Sequence, residues 1–513
     1  MGRAPVSRSS PWPEEVGLPS FSALPGTRAV DVLVVGGGLA GLTAACLLQE
    51  AGREVLLVEA RTLGSGESGR TTAHLTELLD TRYQVLERTF GLDGARAVAE
   101  SSRAAFQQVE AFANASSDGC GFRRVPAWLY AATDAQRREL ERELQSLRRV
   151  GADAGWADTV PLPMRCHGAI RVERQSQFHP TRYLRALVTR FTRAGGTVHE
   201  HTRAWNVEDG TPCRVSTDRG ELRAHAVLVM THVPVSTRFA FHAKVAPYRT
   251  YAVAGRLSGE FPEGLFWDMD DPYHYVRAQE TSAGRLLVVG GEDHKTGTRE
   301  NTAACISRLE AWTWAHFPDQ ALPWSWSGQV LEPVDGLPFI GRSAGAAHVY
   351  LATGFSGNGT SLGTLAAMLL SDAVLGRANA WAPLYAATRI KPLAQARAFV
   401  AENVDYPAHL VRDRFERGEV STPEEIPAGE GRLVRSAGRV LAVSREEDGT
   451  LHARSATCTH LGCHVAWNRA ERSWDCPCHG SRFDARGEVL NGPATRALPE
   501  PSPEQPEAQG PRH

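Results

Sequence analysis

An excess of charge of either sign is missing from this 513-residue chain, whose 56 Lys and Arg face 58 Asp and Glu for a formal net charge of −2. That balance offers no basic footprint to a phosphate backbone, so no nucleic-acid partner is expected. Long apolar runs are scarce as well. Val32–Leu48 carries no charge and approaches the length of a membrane span, but its glycines and its strand-then-helix grammar argue against one. Met1–Thr27 is rich in Pro, Ser and Arg and lacks an apolar segment. It is expected to be neither a secretory signal nor an anchor, but a disordered or surface-draped tail over 1–28. No membrane anchor and a cytoplasmic location are the resulting expectations. Cysteine is sparse outside the C-terminal part. Cys46, Cys120, Cys166, Cys213 and Cys305 show no pairing spacing and read as buried thiols. Nowhere do two histidines and a carboxylate suggest a mononuclear iron.

What is present starts with Ala29–Val35, a run apolar except at Asp31 and suited to a parallel strand buried on both faces. It leads into Gly36-Gly37-Gly38-Leu39-Ala40-Gly41, a helix-like stretch through Gln49, and a second apolar run that ends at Glu59. This is a βαβ dinucleotide fingerprint. Gly36 serves the tight turn, Gly38 the approach of backbone to a pyrophosphate, and Gly41 the packing of helix on strand. The helix N-terminus offers free N–H groups to phosphate, and Glu59 stands where a carboxylate accepts from ribose hydroxyls. No second complete G-x-G-x-x-G unit follows. Val288–Asp293 has the strand and its glycines without the helix, so a separate nicotinamide site is not expected.

A small-residue loop, Arg61 to His74, comes next, then Gln177-Phe178-His179-Pro180, Asp335–Gly341, and Thr353-Gly354-Phe355-Ser356-Gly357-Asn358-Gly359-Thr360 opening a helix to Leu375. With these motifs the chain resembles the D-amino-acid-oxidase/glycine-oxidase (DAO) family of FAD enzymes over about residues 29–390. The resemblance implies FAD, with contacts from Arg61, Arg70, Thr71 and Thr72 in the loop and from Gly354, Phe355, Gly357, Asn358 and Gly359 in the second turn. That turn would aim a helix N-terminus at the pyrimidine ring, where a reduced flavin carries negative charge. A packing turn is the plainer alternative.

Tyr248–Val289 is strand-rich and aromatic, with Tyr251, Phe266, Trp267, Tyr273, His274 and Tyr275. In the resembled family this sheet covers the flavin and shapes the substrate pocket, although the same residues would serve as sheet core. Candidate catalytic groups are His74, Tyr251, His274 and Arg277, and His74 is also a candidate for covalent flavin attachment. His179 precedes a proline at a helix start and reads as a cap or packing residue. Leu75–Val150 reads as largely helical, with apolar residues at three- and four-residue spacing in Ala95–Phe112 and Asp134–Arg149.

The C-terminal part carries Cys458-Thr-His460-Leu-Gly-Cys463 and Cys476-Pro-Cys478-His479-Gly480-Ser481. Two Cys–His pairs are what a mixed-ligand 2Fe–2S centre needs, one iron taking two thiolates and the other two imidazoles. A structural zinc site is the alternative, although zinc knuckles favour C-x-x-C pairs. The segment resembles Rieske domains. That resemblance implies Cys458, His460, Cys476 and His479 as ligands, a disulfide between Cys463 and Cys478 across the two loops, and a covering proline loop at Gly492-Pro493-Ala494. Respiratory Rieske proteins tend to show a serine and a tyrosine after the last ligand. Here Ser481 is kept and Phe483 takes the tyrosine place, which implies a lower reduction potential.

The expected architecture is an α/β FAD-binding Rossmann-like domain with a mixed α+β substrate domain, plus a C-terminal all-β Rieske domain. The flavoenzyme part spans 29–390, with FAD-binding pieces at about 29–75, 170–240 and 330–390 and substrate pieces at about 76–169 and 241–329. A connector over 391–423, the Rieske domain over 424–500 and a disordered tail over 501–513 complete the chain. The implied function is an FAD- and 2Fe–2S-dependent oxidoreductase. It would oxidise an amine, amino acid or related small C–H donor and exchange single electrons with an acceptor or donor. A redox-sensing or electron-relay protein with a regulatory flavin domain is the alternative.

Overall fold

The structure, a computed structural model, describes residues 7–235, 244–257, 259–299, 301–318, 320–391, 419–436 and 438–501. They fall into two units, one drawn from Met1–His294 and Ala304–Glu402, the other from Lys295–Ala303 and Asn403–His513.

The first unit is built on two sheets. Val32 to Val35 are apolar at every position, so neither face of that strand tolerates water, and all four are buried. Arg28–Val35 pairs in parallel with Gly220–Val229 on one side and Val55–Val58 on the other. The full order is Phe339–Arg342, Val349–Thr353, Gly220–Val229, Arg28–Val35, Val55–Val58, Thr197–His199. All these neighbours run parallel except the first pair. Leu39–Glu50 covers the sheet and crosses Gly359–Val374, where a Cβ on Gly363 would stand 3.3 Å from that of Ala40. Small residues let the two helices approach closely.

The second sheet runs Trp324–Pro333, Val245–Arg256, Gly284–Lys295, His274–Thr281, Leu265–Trp267, Arg123–Tyr130, Ala169–Gln177, His74–Leu75. Arg123–Tyr130 corrects the expectation of a largely helical 75–150. The helices Tyr83–Asn114 and Asp134–Arg149 form, but this strand lies between them. Its partners, Ala169–Gln177 and Leu265–Trp267, are distant in sequence, so local periodicity could not announce the pairing.

The N-terminal segment is also corrected from Ser7 onward. Trp12 is fully buried and donates its indole N–H to the Thr71 carbonyl at 2.9 Å. The Glu15 carboxylate accepts from Ser282 N–H at 3.0 Å and pairs with His179 and Arg182. Burial works to raise its pKa, but those partners hold it below the ordinary value. Residues 1–6 and 502–513, and most of the expected connector, lie outside the described residues. Of the five cysteines expected to be buried, Cys166 is half-buried and the other four are buried.

The second unit holds two small antiparallel sheets, Gly431–Ser436/Arg439–Arg445/Leu451–Ser455 and Ala466–Asn468/Ser473–Asp475/Arg482–Asp484/Val489–Asn491. Arg482 is buried at the centre of the latter and bridges Asp475 and Glu471, each at 3.0 Å. No helix among the described residues is long and apolar enough to cross a membrane.

Candidate functional site

Three parallel strands end side by side in the first unit, at Val35, Val229 and Thr353. The chain leaves the first through Gly36–Gly41 and the last through Gly354–Gly359. Both glycine-rich turns therefore lie at the carboxyl edge of one sheet, where open α/β sheets hold ligands. Gly36 has φ +114°, and a Cβ on Gly41 would stand 2.0 Å from the Gly36 carbonyl oxygen. Gly38 occupies the N-cap of Leu39–Glu50 and has no side chain of its own to cap it; the Ser68 hydroxyl accepts from Leu39 N–H at 2.9 Å, which leaves the next N–H groups of the first turn to a ligand. The Glu59 carboxylate accepts from Gly37 N–H at 2.8 Å and Arg61 N–H at 2.9 Å.

On the connecting loop, Arg70 donates to the Ser327 carbonyl at 2.9 Å. Thr71 Oγ1 accepts from Ala73 N–H, and Thr72 Oγ1 lies 3.0 Å from His74 Nδ1. At the second turn, Phe355 precedes Gly357, whose N–H donates to Asp80 at 2.5 Å, while the Asn358 side chain accepts from Asp80 N–H. Gly359 opens its helix without a side-chain cap. Sequence reasoning missed Glu67 in the same loop, which accepts from Gln329 N–H at 2.7 Å. Burial favours its neutral form, but His232, Arg249 and Arg70 overcome that and keep its pKa low. A lone glutamate in a loop of small residues gave no signal of this.

The structure separates the four catalytic candidates. His74 sits between the rings of Trp267 and Tyr275, at 5.0 and 5.2 Å, and its Nε2 is buried without a hydrogen-bond partner. Burial, aided by the charge of Arg277, holds it well below the ordinary histidine range, so it is neutral. The other three are engaged by partners of their own. Tyr251 is fully buried with its hydroxyl 3.0 Å from His294 Nε2. His274 alternates with Tyr275 to the opposite face, where Nδ1 meets Asp268 at 2.9 Å and the ring stacks on Trp312. Arg277 is 0% exposed and donates to Gln279 and the Phe178 carbonyl, its pKa lowered by burial to about 9. His179 caps Pro180–Arg193, accepting from Arg182 N–H.

In the second unit the two Cys–His pairs lie on adjacent loops. Cys458 N–H donates to the Cys463 carbonyl and Cys476 N–H to the Ser481 carbonyl, each at 2.8 Å. The imidazoles of His460 and His479 are 5.0 Å apart, and their Nδ1 atoms are buried. A hydrogen bond from Cys476 holds the Cys458 thiol down to about 7, against burial and with help from the His460 N–H and the Ser481 hydroxyl. Ser481 Oγ accepts from Ala494 N–H at 3.0 Å, which ties the proline loop to the same group. Cys463 and Cys478 lie outside this pair, with their sulfurs 1.99 Å apart.

Residues 31–373 match the model of the FAD dependent oxidoreductase (DAO) family, and residues 416–502 that of the Rieske [2Fe-2S] domain. The chain belongs to the DAO family of FAD-dependent oxidoreductases. It carries a Rieske domain at its C-terminal end. A putative Rieske 2Fe-2S iron-sulfur protein, YhfW, of Bacillus subtilis is 32% identical over 95% of this chain and 96% of its own length. Gamma-glutamylputrescine oxidoreductase of Escherichia coli is 25% identical over 70% of this chain and 87% of its own. Among solved structures, glycine oxidase from Geobacillus kaustophilus superposes with a TM-score of 0.60 at 21% identity, covering 71% of this chain and 99% of that one, a likeness of fold.

The cofactors of this FAD-dependent oxidoreductase are therefore FAD and a Rieske 2Fe–2S cluster, and its residues fit both. For FAD, the fit lies in the tight Gly36–Gly41 turn, where a Cβ at position 41 would strike the Gly36 carbonyl, and in the first-turn N–H groups beyond Leu39. For the cluster, it lies in the donor set, two thiols in mutual contact and two imidazoles 5.0 Å apart on one loop pair. The zinc alternative gives way to this match.

Proposed function

We propose that the protein oxidises an amine, amino acid or related small donor at a C–H bond next to nitrogen, and that the electrons leave singly for a one-electron acceptor. When bound, FAD supplies a two-electron hydride acceptor and the cluster supplies one-electron transfer. The observation that carries the reading is the occurrence of both donor sets in one chain. In this reading Gly36, Gly38, Gly41 and Glu59 hold the dinucleotide, with Arg61, Arg70, Thr71 and Thr72 along its loop. Gly354, Phe355, Gly357, Asn358 and Gly359 present a helix N-terminus to it. Cys458 and Cys476 hold one iron and His460 and His479 the other, with a Cys463–Cys478 disulfide bracing the loops.

His74, kept neutral by burial, takes the proton that an ammonium must lose before oxidation. The name of the gamma-glutamylputrescine relative supports a nitrogenous donor. Rapid anaerobic mixing with a panel of amines and amino acids tests the reading, because at least one should bleach the flavin. If none does while a protein donor reduces the cluster, the relay alternative takes its place.

A further inference from the structure

A cavity of about 360 Å³ opens in the first unit beside Trp267, Tyr273 and Ser356. Five carboxylates line it, those of Asp80, Glu139, Asp268, Asp270 and Glu332, against one guanidinium, that of Arg82. Arg82 is already opposed by Asp80 and Glu143. Arg277 is 0% exposed and offers the cavity no surface. The wall therefore repels anions.

The same wall is aromatic. The rings of Trp267, His74, Tyr275 and Tyr273 follow one another with centroid separations of 5.0, 5.2 and 5.9 Å. Of these rings, those of Trp267 and Tyr273 line the cavity; Asp293 does not, but its charge acts on Tyr273. Aromatic faces backed by carboxylates are how proteins hold alkylammonium groups, since ring quadrupoles and anions both attract a poorly hydrated cation.

Resting on the oxidoreductase reading above, we propose that the reducing substrate is a net cation, an alkylamine with no carboxylate beside the reacting nitrogen, held by Trp267 and Tyr273 among the carboxylates that line the cavity. Zwitterionic amino acids would bring a carboxylate against Asp80 and Glu332 with no free guanidinium to meet it, a pairing that costs affinity.

The test uses the purified holoprotein under anaerobic conditions and two probes that it need not oxidise, tetramethylammonium and acetate. Tryptophan fluorescence and the flavin absorption band report binding. Tetramethylammonium should bind saturably and acetate should not. Glu332→Gln and Trp267→Leu should each weaken the cation by severalfold or more, while Trp267→Phe recovers most of the loss. Flavin content and melting temperature verify that each variant is folded. Acetate binding in competition with substrate, or cation binding unchanged in both variants, overturns the proposal. If amino acids bleach the flavin but tetramethylammonium neither binds nor competes, the cation site falls and the oxidoreductase reading stands. If the cation binds with the expected variant pattern but no donor bleaches the flavin, the reverse holds.

Discussion

Two buried groups decide the chemistry at the residue scale. His74 lacks a partner for Nε2 and is held neutral by burial beside Arg277. Removing it as His74→Gln should slow flavin reduction by roughly 10²-fold or more. In the native enzyme the rate should decline only as pH falls well below 6.5, because protonation of His74 removes the base, and this acid limb should vanish in the variant. Asp293 is pushed up by burial to about 7, with Thr250, Tyr273, Asp80 and His274 around it and Tyr275 nearby. The Asp293 charge acts on Tyr273 at the cavity, so cation affinity should fall as pH drops below that value. A flat affinity between pH 5 and about 8 would contradict this assignment. In the second unit Phe483 is fully buried among Trp474, Cys458 and Cys476. Phe483→Tyr should raise the cluster's potential in a redox titration by restoring a donor toward sulfur. An unchanged or lowered potential would count against that account.

Single elements show which parts of the chain could be read locally. The turn Gly36–Gly41 was legible because its constraint is steric and short-range, with a Cβ at Gly41 meeting the Gly36 carbonyl. Gly41→Ala should abolish flavin retention while leaving the cluster's visible and EPR spectra intact, which separates cofactor loss from global unfolding. The Cys–His loops were legible for a similar reason, since all four donors fall within twenty-two residues of one another, Cys458 to His479. The segment around Trp12 was not. Its burial depends on Thr71, His179 and Trp326, residues far away in sequence. Trp12→Ala should destabilise the first unit by about 3–5 kcal/mol, measured by denaturant melts of the holoprotein. Arg123–Tyr130 escaped for the same reason, as did the cavity wall, whose Asp80, Trp267 and Glu332 come from a loop and two different strands. The aromatic character of Tyr248–Val289 was visible, but only the fold shows that Trp267 and Tyr273 line a cavity while Tyr251 and Phe266 are core.

For the whole molecule, the two donor sets belong to two kinds of redox chemistry, and their fusion in one chain argues for conversion between electron pairs and single electrons. The relative from Bacillus subtilis spans the same length, so the combination is shared by a second protein. Anaerobic titration of the purified protein with a reducing amine, followed at once by flavin absorbance and by EPR of the cluster, tests this most directly. Substrate added in stoichiometric amounts should bleach the flavin and bring up the signal of a reduced mixed-ligand 2Fe–2S centre in the same sample. Flavin bleaching with the cluster left oxidised at every addition, although dithionite reduces it, would contradict the account.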